Sequence, residues 1–351
     1  MTSKTSIEWT DRTWNPTRGC SRISEGCRHC YAERIAGRFS GPWQPFELFA
    51  ERAHGEGHWT GRVELIEKAL DAPLHWKKPS RIFVNSMSDL FHEKLPEADV
   101  LSVFQVMAKC PRHTFQILTK RPEKMMVFLH ERRWRNLGYS AAIGGSYCVS
   151  LIPGDHRDGK SYDRDGDYLP NVWLGVSVED QKTADERIPL LLQTPAAVRF
   201  VSYEPALGPV DFSKIIMPDG DHLDALYNDG ADAGIDWVIV GGESGPGTRP
   251  FDIDWARKVI EQCKAAGVAC FVKQLGAKPF QSPRGNSPKG YKLSLKDRKG
   301  GDISEWPADI RVREFPVCGD IDRCAAEQSR VADLLRECHA DQRGLKQAAE
   351  D

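Results

Sequence analysis

Short apolar, β-branched runs along the chain alternate with longer stretches in which apolar residues recur at helical spacing. The short runs predict strands, because they are only a few residues long and are bounded by turn residues. They lie at 81–85, 114–118, 172–176, 198–202, 237–240 and 269–272. The longer stretches predict helices at about 96–109, 122–136, 182–193 and 253–266, the last ending before Gly267. A further helix is predicted at 32–39, directly after a group of cysteines.

This strand–helix alternation is typical of an α/β protein with a mainly parallel sheet and right-handed crossovers. A first strand just before Cys20 brings the count to about seven, which favours an open or partial (β/α) barrel over a doubly wound sheet. We expect the barrel to occupy residues 1–276, with insertions at about 40–62, 140–170 and 217–234. Residues 277–351 then form a C-terminal extension, a basic loop followed by an amphipathic helix at about 320–349.

Composition excludes several classes of protein. The chain of 351 residues carries a net charge of −2, so it is not a polyanion binder as a whole and any nucleic-acid surface must be local. The N-terminal residues have no apolar signal core, and no stretch approaches the length of a membrane span. The ten cysteines indicate reduced thiols and metal ligands rather than a disulfide framework. We therefore expect a cytoplasmic protein with no membrane partner.

Three of these cysteines, Cys20, Cys27 and Cys30, lie close together in one loop. A closed structural zinc site needs four protein ligands, and so does an ordinary electron-transfer iron–sulfur cluster. Three thiolates on a four-iron cluster leave one iron open for a substrate or cofactor. The spacing leaves three interpretations open: such a cluster, a zinc ion with His29 or a distant residue as fourth ligand, or unligated thiols packed as small apolar side chains.

Polar residues follow each of the six predicted strands from 81 onward. Because the carboxyl ends of parallel strands meet at one mouth of a barrel, we expect these residues to converge there with the cysteine loop. The candidates are Ser86, Ser88, Asp89, Lys120, Arg121, Ser177, Glu179, Glu204, Gly241, Gly242, Glu243 and Lys273. Each alone is also typical of a turn or a helix cap. Because all of them follow strand ends on the same side of the sheet as the cysteine loop, together they favour an active site at that mouth.

A basic segment follows the last predicted strand. Between Lys278 and Gly300 seven basic residues face one acidic residue, a local charge of +6. With Phe280 and Tyr291 among them, the segment has the composition to track a phosphate backbone and to stack a base; a solvated basic loop is the alternative. Three further cysteines, at 318, 324 and 338, are spaced too widely to predict a second cluster, which favours incidental thiols.

Several longer motifs resemble one known family. Segments 13–16, 20–33 and 84–91 are similar to the phage-associated three-cysteine-motif family of radical-SAM-like proteins, near the branch that includes the DNA photoproduct lyases. Segments 173–179, 202–205, 241–245, 299–302 and 311–316 are similar to the same family. The resemblance implies a partial (β/α) barrel of the radical SAM type, a [4Fe-4S] cluster and S-adenosyl-L-methionine (SAM) as cofactors. The chain departs from the commonest signature in two ways. Six residues, not three, separate Cys20 from Cys27, and His29 stands where an aromatic residue is usual.

The resemblance also implies roles for individual residues. Cys20, Cys27 and Cys30 would bind the cluster, and SAM would contact Ser86, Ser88, Asp89, Ser177, Glu179, Gly241 and Gly242. Glu204, Glu243 and Lys273 are the catalytic candidates, although either glutamate is alternatively a buried partner of a nearby cation. An anionic substrate or nucleic acid would contact Lys120, Arg121, Lys289, Lys292, Arg298 and Lys299.

The expected function is a radical SAM enzyme that acts on a modified or damaged nucleobase in DNA or on a nucleotide. It would need an external electron donor of the flavodoxin or ferredoxin type. Two alternatives stay open. One is a non-catalytic, zinc-stapled nucleic-acid-binding protein, and the other is a radical SAM enzyme for a small metabolite or peptide.

Overall fold

Seven strands lie side by side in sequence order in a single sheet. The structure is a computed structural model that describes residues 5–130, 132–135, 150–153, 168–227, 234–283 and 290–316. Strands β1 to β7 are Arg12–Trp14, Arg81–Val84, Thr114–Thr119, Val172–Val178, Val198–Tyr203, Trp237–Gly241 and Ala269–Gln274. Every neighbouring pair is parallel. The predicted strands and their number are confirmed.

Strand order explains the shape. When parallel strands follow one another in sequence order, every right-handed crossover covers the same face, and the sheet curls around the other face. Helices α1 to α5 are Tyr31–Arg38, Glu97–Ala108, Pro122–His130, Gln181–Gln193 and Ile253–Ala266. Outward residues of the strands, such as Val84, Ile117 and Val240, pack with residues of α2 to α5 in one large core. The result is the predicted α/β half-barrel.

One predicted element is too long. Helix α3 ends at His130, whereas the periodicity predicts a helix to about 136. Residues Arg132–Arg135 are instead a strand that pairs with Ser150–Pro153. This pairing joins segments that are distant in sequence, so the local apolar pattern does not contain it.

The concave face of the sheet has its own, smaller apolar cluster. It consists of Trp9, Phe83, Trp173, Val198, Phe200, Trp237, Ile239 and Phe271. Trp9 comes from the chain before β1 and packs on Phe83 of β2, with ring centroids 4.7 Å apart. These aromatic rings fill the half-barrel, and two of them, Trp9 and Phe83, provide the floor of the cavity at its mouth.

Short strands and short helices lie outside the seven-stranded sheet and helices α1 to α5. The remaining paired strands are Thr17–Arg18 with Glu64–Leu65, Ala50–Ala53 with Glu56–Trp59, Ile215–Ile216 with His222–Leu223, and Phe251–Asp252, Pro279–Gln281 and Tyr291–Lys292 in one small sheet. The short helices are Glu25–Cys27, Glu67–Leu70, Ala72–His75, Phe212–Lys214, Ile303–Glu305 and Ala308–Ile310. The predicted insertion at 40–62 therefore forms a hairpin, and the one at 217–234 contributes to another. Most of the predicted insertion at 140–170 lies outside the described residues.

The segment before residue 317 runs along the edge of the sheet. The Val272 amide donates to the Val312 carbonyl at 2.8 Å, and the Glu314 amide donates to the Cys270 carbonyl at 2.8 Å. The predicted helix at 320–349 and the three C-terminal cysteines lie outside the described residues, and the domain boundary at 276 stays a prediction. In the described part of the chain, no helix has the length and apolarity needed to cross a membrane.

Candidate active site

A cavity of about 430 Å³ opens inside the half-barrel at the carboxyl ends of the strands. The predicted residues that line it are Cys20, Cys27, Cys30, Ser86, Ser88, Asp89, Lys120, Arg121, Ser177, Glu204, Gly242, Glu243, Lys273 and Lys299. Glu179 and Gly241 do not line it but contact lining residues. Lys292 and Arg298 are exposed on the C-terminal segment, and position 289 lies outside the described residues. The structure therefore brings most of the predicted set together at one mouth.

The three cysteines come from different parts of one loop. Cys20 follows the strand Thr17–Arg18, Cys27 ends the turn Glu25–Cys27, and Cys30 precedes the first residue of α1. Burial raises the pKa of the Cys20 thiol to about 12, helped by Asp89 and opposed by Arg121. Burial also raises the pKa of the Cys30 thiol. Both groups are thus neutral thiols in the metal-free chain, and a metal must displace their protons.

The donor set fits a cluster better than a single metal ion. Over the described ranges, no three His, Cys, Asp or Glu side chains come close enough together to hold one ion. In a four-iron cluster each thiolate binds its own iron, so the ligands stand farther apart than around zinc. The thiols still share one environment, since Cys27 raises the pKa of Cys30 and Cys30 raises that of Cys20. Three such thiols around one cavity suit a [4Fe-4S] cluster with one open iron.

A buried ion pair anchors the start of this loop. Arg121 Nη1 lies 3.0 Å from Asp89 Oδ2, and the two side chains are only 5% and 8% exposed. Asp89 Oδ2 also accepts the Lys120 amide at 3.2 Å. At its other end, Arg121 Nη2 donates to the carbonyl of Ser21 at 3.2 Å and to its hydroxyl at 2.9 Å. Both charged groups are therefore engaged within the protein and hold the residue next to Cys20; their predicted ligand contacts stay predictions.

A second buried ion pair supports the middle of the loop. Lys120 Nζ donates to Glu179 Oε1, and Arg187 Nη1 lies 3.1 Å from Glu179 Oε2. The Ser24 hydroxyl also donates to Glu179 Oε1, at 3.1 Å. Gly26 passes so close that an added β-carbon would lie 2.3 Å from the same oxygen. Glu179, predicted to contact SAM, thus binds protein groups that position the loop.

A third anchor comes from a residue that the sequence did not suggest. Arg249 Nη2 lies 2.8 Å from Glu243 Oε1, and the Arg249 amide donates to Glu243 Oε2 at 2.9 Å. Arg249 Nη1 also donates to the Glu25 carbonyl in the cysteine loop at 3.0 Å. Burial acts to raise the pKa of the Glu243 carboxyl, but the hydrogen bonds and charge of Arg249 outweigh it and hold that pKa below its usual value.

Lys273 and Glu204 form an ion pair in the cavity wall. Lys273 Nζ lies 3.1 Å from Glu204 Oε2, with the side chains 20% and 13% exposed. The Ser202 hydroxyl is a more distant donor to the same oxygen, at 3.5 Å. A β-carbon at position 241 would lie 2.3 Å from Glu204 Oε1, so Gly241 leaves room for the carboxylate. Glu204 thus pairs with a cation of the cavity wall, and its catalytic role and that of Lys273 stay predictions.

The loop after β2 brings two predicted serines to the cavity. The Ser86 hydroxyl donates to Asn15 Oδ1 at 3.1 Å, and the Ser88 hydroxyl lies 2.6 Å from that of Thr17. Asn85 turns the chain here with φ at +61°, a left-handed conformation that asparagine adopts more readily than most residues. Its Oδ1 accepts the Thr17 amide at 3.3 Å, whereas its buried Nδ2 has no partner among the described residues.

The basic C-terminal segment reaches the cavity at one described residue. Lys299 lines the cavity, and its Nζ lies 2.8 Å from Glu8 Oε1. Lys292 lies on the strand Tyr291–Lys292 and is exposed, as is Arg298. The segment thus leads from the cavity wall to the surface.

Several functional residues were not selected from the sequence. Asn15, Ser24 and Gly26 lie in or beside the cysteine motif, so their position along the chain was a usable signal. Arg249 had no such signal, because it lies 224 residues from the Glu25 carbonyl that it binds. Trp9, which lines the floor, was also missed, since a single aromatic residue before the first strand has no periodicity.

Comparison with known proteins adds a family and little else. A family profile described as "Protein of unknown function (DUF5131)" matches residues 4–306. No curated protein matches the chain. A solved structure of a mutant of spore photoproduct lyase aligns with 89% of this chain and 75% of its own, with 9% sequence identity and a TM-score of 0.36. So low a score supports no inference about activity.

Proposed function

The chain belongs to the DUF5131 family, whose description assigns no activity, and we propose that it is a radical SAM enzyme. The observation that carries this proposal is the donor set at the mouth. Three partly buried thiols line one cavity, and the described residues offer no group of three ligands for a single metal ion. A zinc staple would require four ligands in a closed shell.

Cys20, Cys27 and Cys30 would hold the [4Fe-4S] cluster, and the chain's own charges hold their loop. When bound, a reduced cluster and SAM supply a 5′-deoxyadenosyl radical that takes a hydrogen atom from a substrate. Ser86 and Ser88 line the cavity wall beside the loop, with their hydroxyls held by Asn15 and Thr17, and would contact the ligand there. The cavity floor of aromatic side chains excludes water below the reacting groups.

Three unpaired polar atoms support a polar, planar ligand. Asn85 Nδ2, Trp9 Nε1 and Gln274 Oε1 are buried without a partner among the described residues, and all three residues line the cavity. An unsatisfied buried group costs about 1–3 kcal/mol, so a ligand that pairs with it gains that amount in binding. A ligand that pairs with them would carry both hydrogen-bond acceptors and a donor, as a nucleobase does.

We propose a nucleotide unit, a modified or damaged base in DNA, as the substrate. Arg298 and Lys292, exposed on the segment that leads outward from Lys299 in the cavity wall, would provide positive charge for a phosphate backbone. A base in a duplex cannot reach such a cavity, so the enzyme would take an extruded or single-stranded nucleotide.

The test is anaerobic reconstitution with iron and sulfide, reduction with dithionite, and chromatography for 5′-deoxyadenosine formed from SAM. Cys27→Ala should abolish both the brown colour and the product. Cys110→Ala is the matched control, since Cys110 is a buried core residue away from the loop, and it should retain both.

Each outcome decides between functions. Product that depends on Cys27 but not on Cys110 supports the radical SAM proposal, and stimulation by single-stranded DNA then supports the substrate. A colourless protein that binds one zinc ion and leaves SAM intact would overturn the proposal in favour of a nucleic-acid-binding protein. Product formation that no nucleic acid stimulates would favour a small metabolite or peptide.

A further inference from the structure

The outer face of α1 carries apolar side chains on the surface of the protein. Tyr31, Ile35 and Phe39 are spaced four residues apart, so they lie along one side of the helix and its end. Their exposed fractions are 45%, 37% and 48%, and Trp43 in the following turn is 97% exposed. The Phe46 amide donates to the Phe39 carbonyl at 2.9 Å, so this turn folds back on the end of the helix. These four residues, 31, 35, 39 and 43, are termed the α1 patch.

The patch is not the core-facing side of the helix. Ala32, Glu33, Ala36 and Gly37 are buried on the other side, where Gly37 meets the 50–59 hairpin. Over the described residues, six of the eleven large exposed apolar side chains fall between 23 and 48. Soluble proteins seldom group exposed apolar residues in this way unless the surface binds a partner.

The patch adjoins the cysteine loop. Tyr31 directly follows Cys30 and lines the cavity, and its hydroxyl donates to the Ser86 carbonyl at 2.5 Å. Ile23, between Cys20 and Cys27 in the same loop, is 43% exposed. Apolar surface thus begins at the cysteines themselves and continues outward along α1.

The charge around the patch is positive. Residues 18–47, from the cysteine loop to the turn after α1, contain five arginines and three glutamates, with no lysine or aspartate, which gives a local charge of +2 in a chain of net charge −2. The Arg28 side chain is 65% exposed, and Arg38 is exposed beside Phe39. Aromatic residues with arginine and without lysine are typical of protein interfaces. The aliphatic Ile23 and Ile35 offer no stacking surface for nucleic-acid bases, whereas Tyr31, Phe39 and Trp43 do, so single-stranded DNA is the competing occupant that the test includes.

We propose that the α1 patch is the docking surface for a small acidic electron-transfer protein of the flavodoxin or ferredoxin type. This inference rests on the proposed function, since it supplies the electron that the cluster needs. The donor loses one electron and the cluster gains one. Docking at the patch brings the donor against the loop that holds the cysteines, and arginines around an apolar centre attract and orient an acidic partner.

The test compares patch variants with two reductants. Ile35→Glu and Phe39→Glu change the patch without touching the cavity, and Ile216→Glu, a 45% exposed residue on the strand Ile215–Ile216, is the matched control. Binding of a flavodoxin to each reconstituted protein is measured by calorimetry. Formation of 5′-deoxyadenosine is then measured with dithionite and, separately, with the flavodoxin and its reductase.

We expect both patch variants to weaken flavodoxin binding by about tenfold or more. Each variant places a negative charge in a contact that is removed from water on binding, and this charge repels an acidic partner. Flavodoxin-driven product should fall with the binding, dithionite-driven product should stay at the wild-type level, and Ile216→Glu should resemble wild type throughout. Unchanged flavodoxin binding in the patch variants overturns the docking surface. The docking surface is also overturned if the patch variants lose binding of single-stranded DNA while they keep their binding of flavodoxin. Absence of dithionite-driven product in the wild type, in contrast, overturns the proposed function itself.

Discussion

Arg121 joins the carboxylate of Asp89, in the loop after β2, to the hydroxyl and carbonyl of Ser21 beside Cys20. One guanidinium therefore connects the sheet to the cysteine loop. Two other cations act at later points of the loop: Lys120 below Ser24 and Arg249 at the Glu25 carbonyl. Charged groups after the strands thus hold the cysteine loop at Ser21, Ser24 and Glu25.

Asp89→Asn should destabilise the protein strongly. It removes the buried partner of the Arg121 guanidinium, which then pairs only with the exposed Glu93 carboxylate at 2.7 Å. Removing one partner of a buried pair costs about 3–5 kcal/mol, and Glu93 offsets part of that loss. Asp11→Asn breaks the exposed Arg81–Asp11 pair and should cost about 0–1 kcal/mol. Urea denaturation of the two variants gives the comparison. Equal losses of unfolding free energy would show that the Asp89 pair is not an anchor.

Gly26→Ala should prevent normal loading of the cluster. The new β-carbon would lie 2.3 Å from Glu179 Oε1 and 2.6 Å from Lys120 Nζ, so either the loop or the ion pair that supports it must shift. Gly41→Ala is the control, because its β-carbon meets nothing closer than 3.8 Å. Iron and sulfide content after reconstitution should drop severalfold in the first variant only. Full iron content in Gly26→Ala would contradict the proposed anchoring.

Glu243→Gln should lower stability in a pH-dependent manner. The pKa of Glu243 is lowered in the folded protein, so its contribution is present above the unfolded value of 4.5 and is lost as the pH falls through the folded value. We expect a loss of about 1–3 kcal/mol at neutral pH, the range for a hydrogen bond to a charged group. Unfolding curves of wild type and variant should converge below pH 4.5. A difference that is independent of pH would exclude an ionised Glu243–Arg249 pair as its source.

Alkylation of Cys20 in the metal-free protein should require high pH. Burial raises the pKa of this thiol to about 12, and only the thiolate reacts. The rate of iodoacetamide modification at Cys20, followed by peptide mass spectrometry, should therefore keep rising toward about pH 12. A rate that levels off near the ordinary cysteine pKa of about 8.5 would mean that the thiol is not buried as described. Adding iron and sulfide beforehand should protect it.

Much of the fold was accessible from the sequence. The strand runs at 81–85 and 198–202 and the helix at 253–266 are local patterns, and the structure places them at Arg81–Val84, Val198–Tyr203 and Ile253–Ala266. Their alternation also implies sequential, parallel pairing, because right-handed crossovers leave few other arrangements. The end of α3 was predicted too late in the chain because Arg132–Arg135 pair with a distant strand, Ser150–Pro153, instead of continuing the helix.

The mouth of the barrel was predictable only as a set of residues. Polar groups at the strand ends and the motif of Cys20, Cys27 and Cys30 are features of the sequence, since carboxyl ends of parallel strands necessarily meet. Which groups face a ligand and which bind each other was decided by the tertiary structure. Glu179 pairs with Lys120 and Arg187 rather than facing the cavity, and Glu243 pairs with Arg249. Those pairings join loops of different strands, and a buried charge takes whichever partner the fold brings within reach.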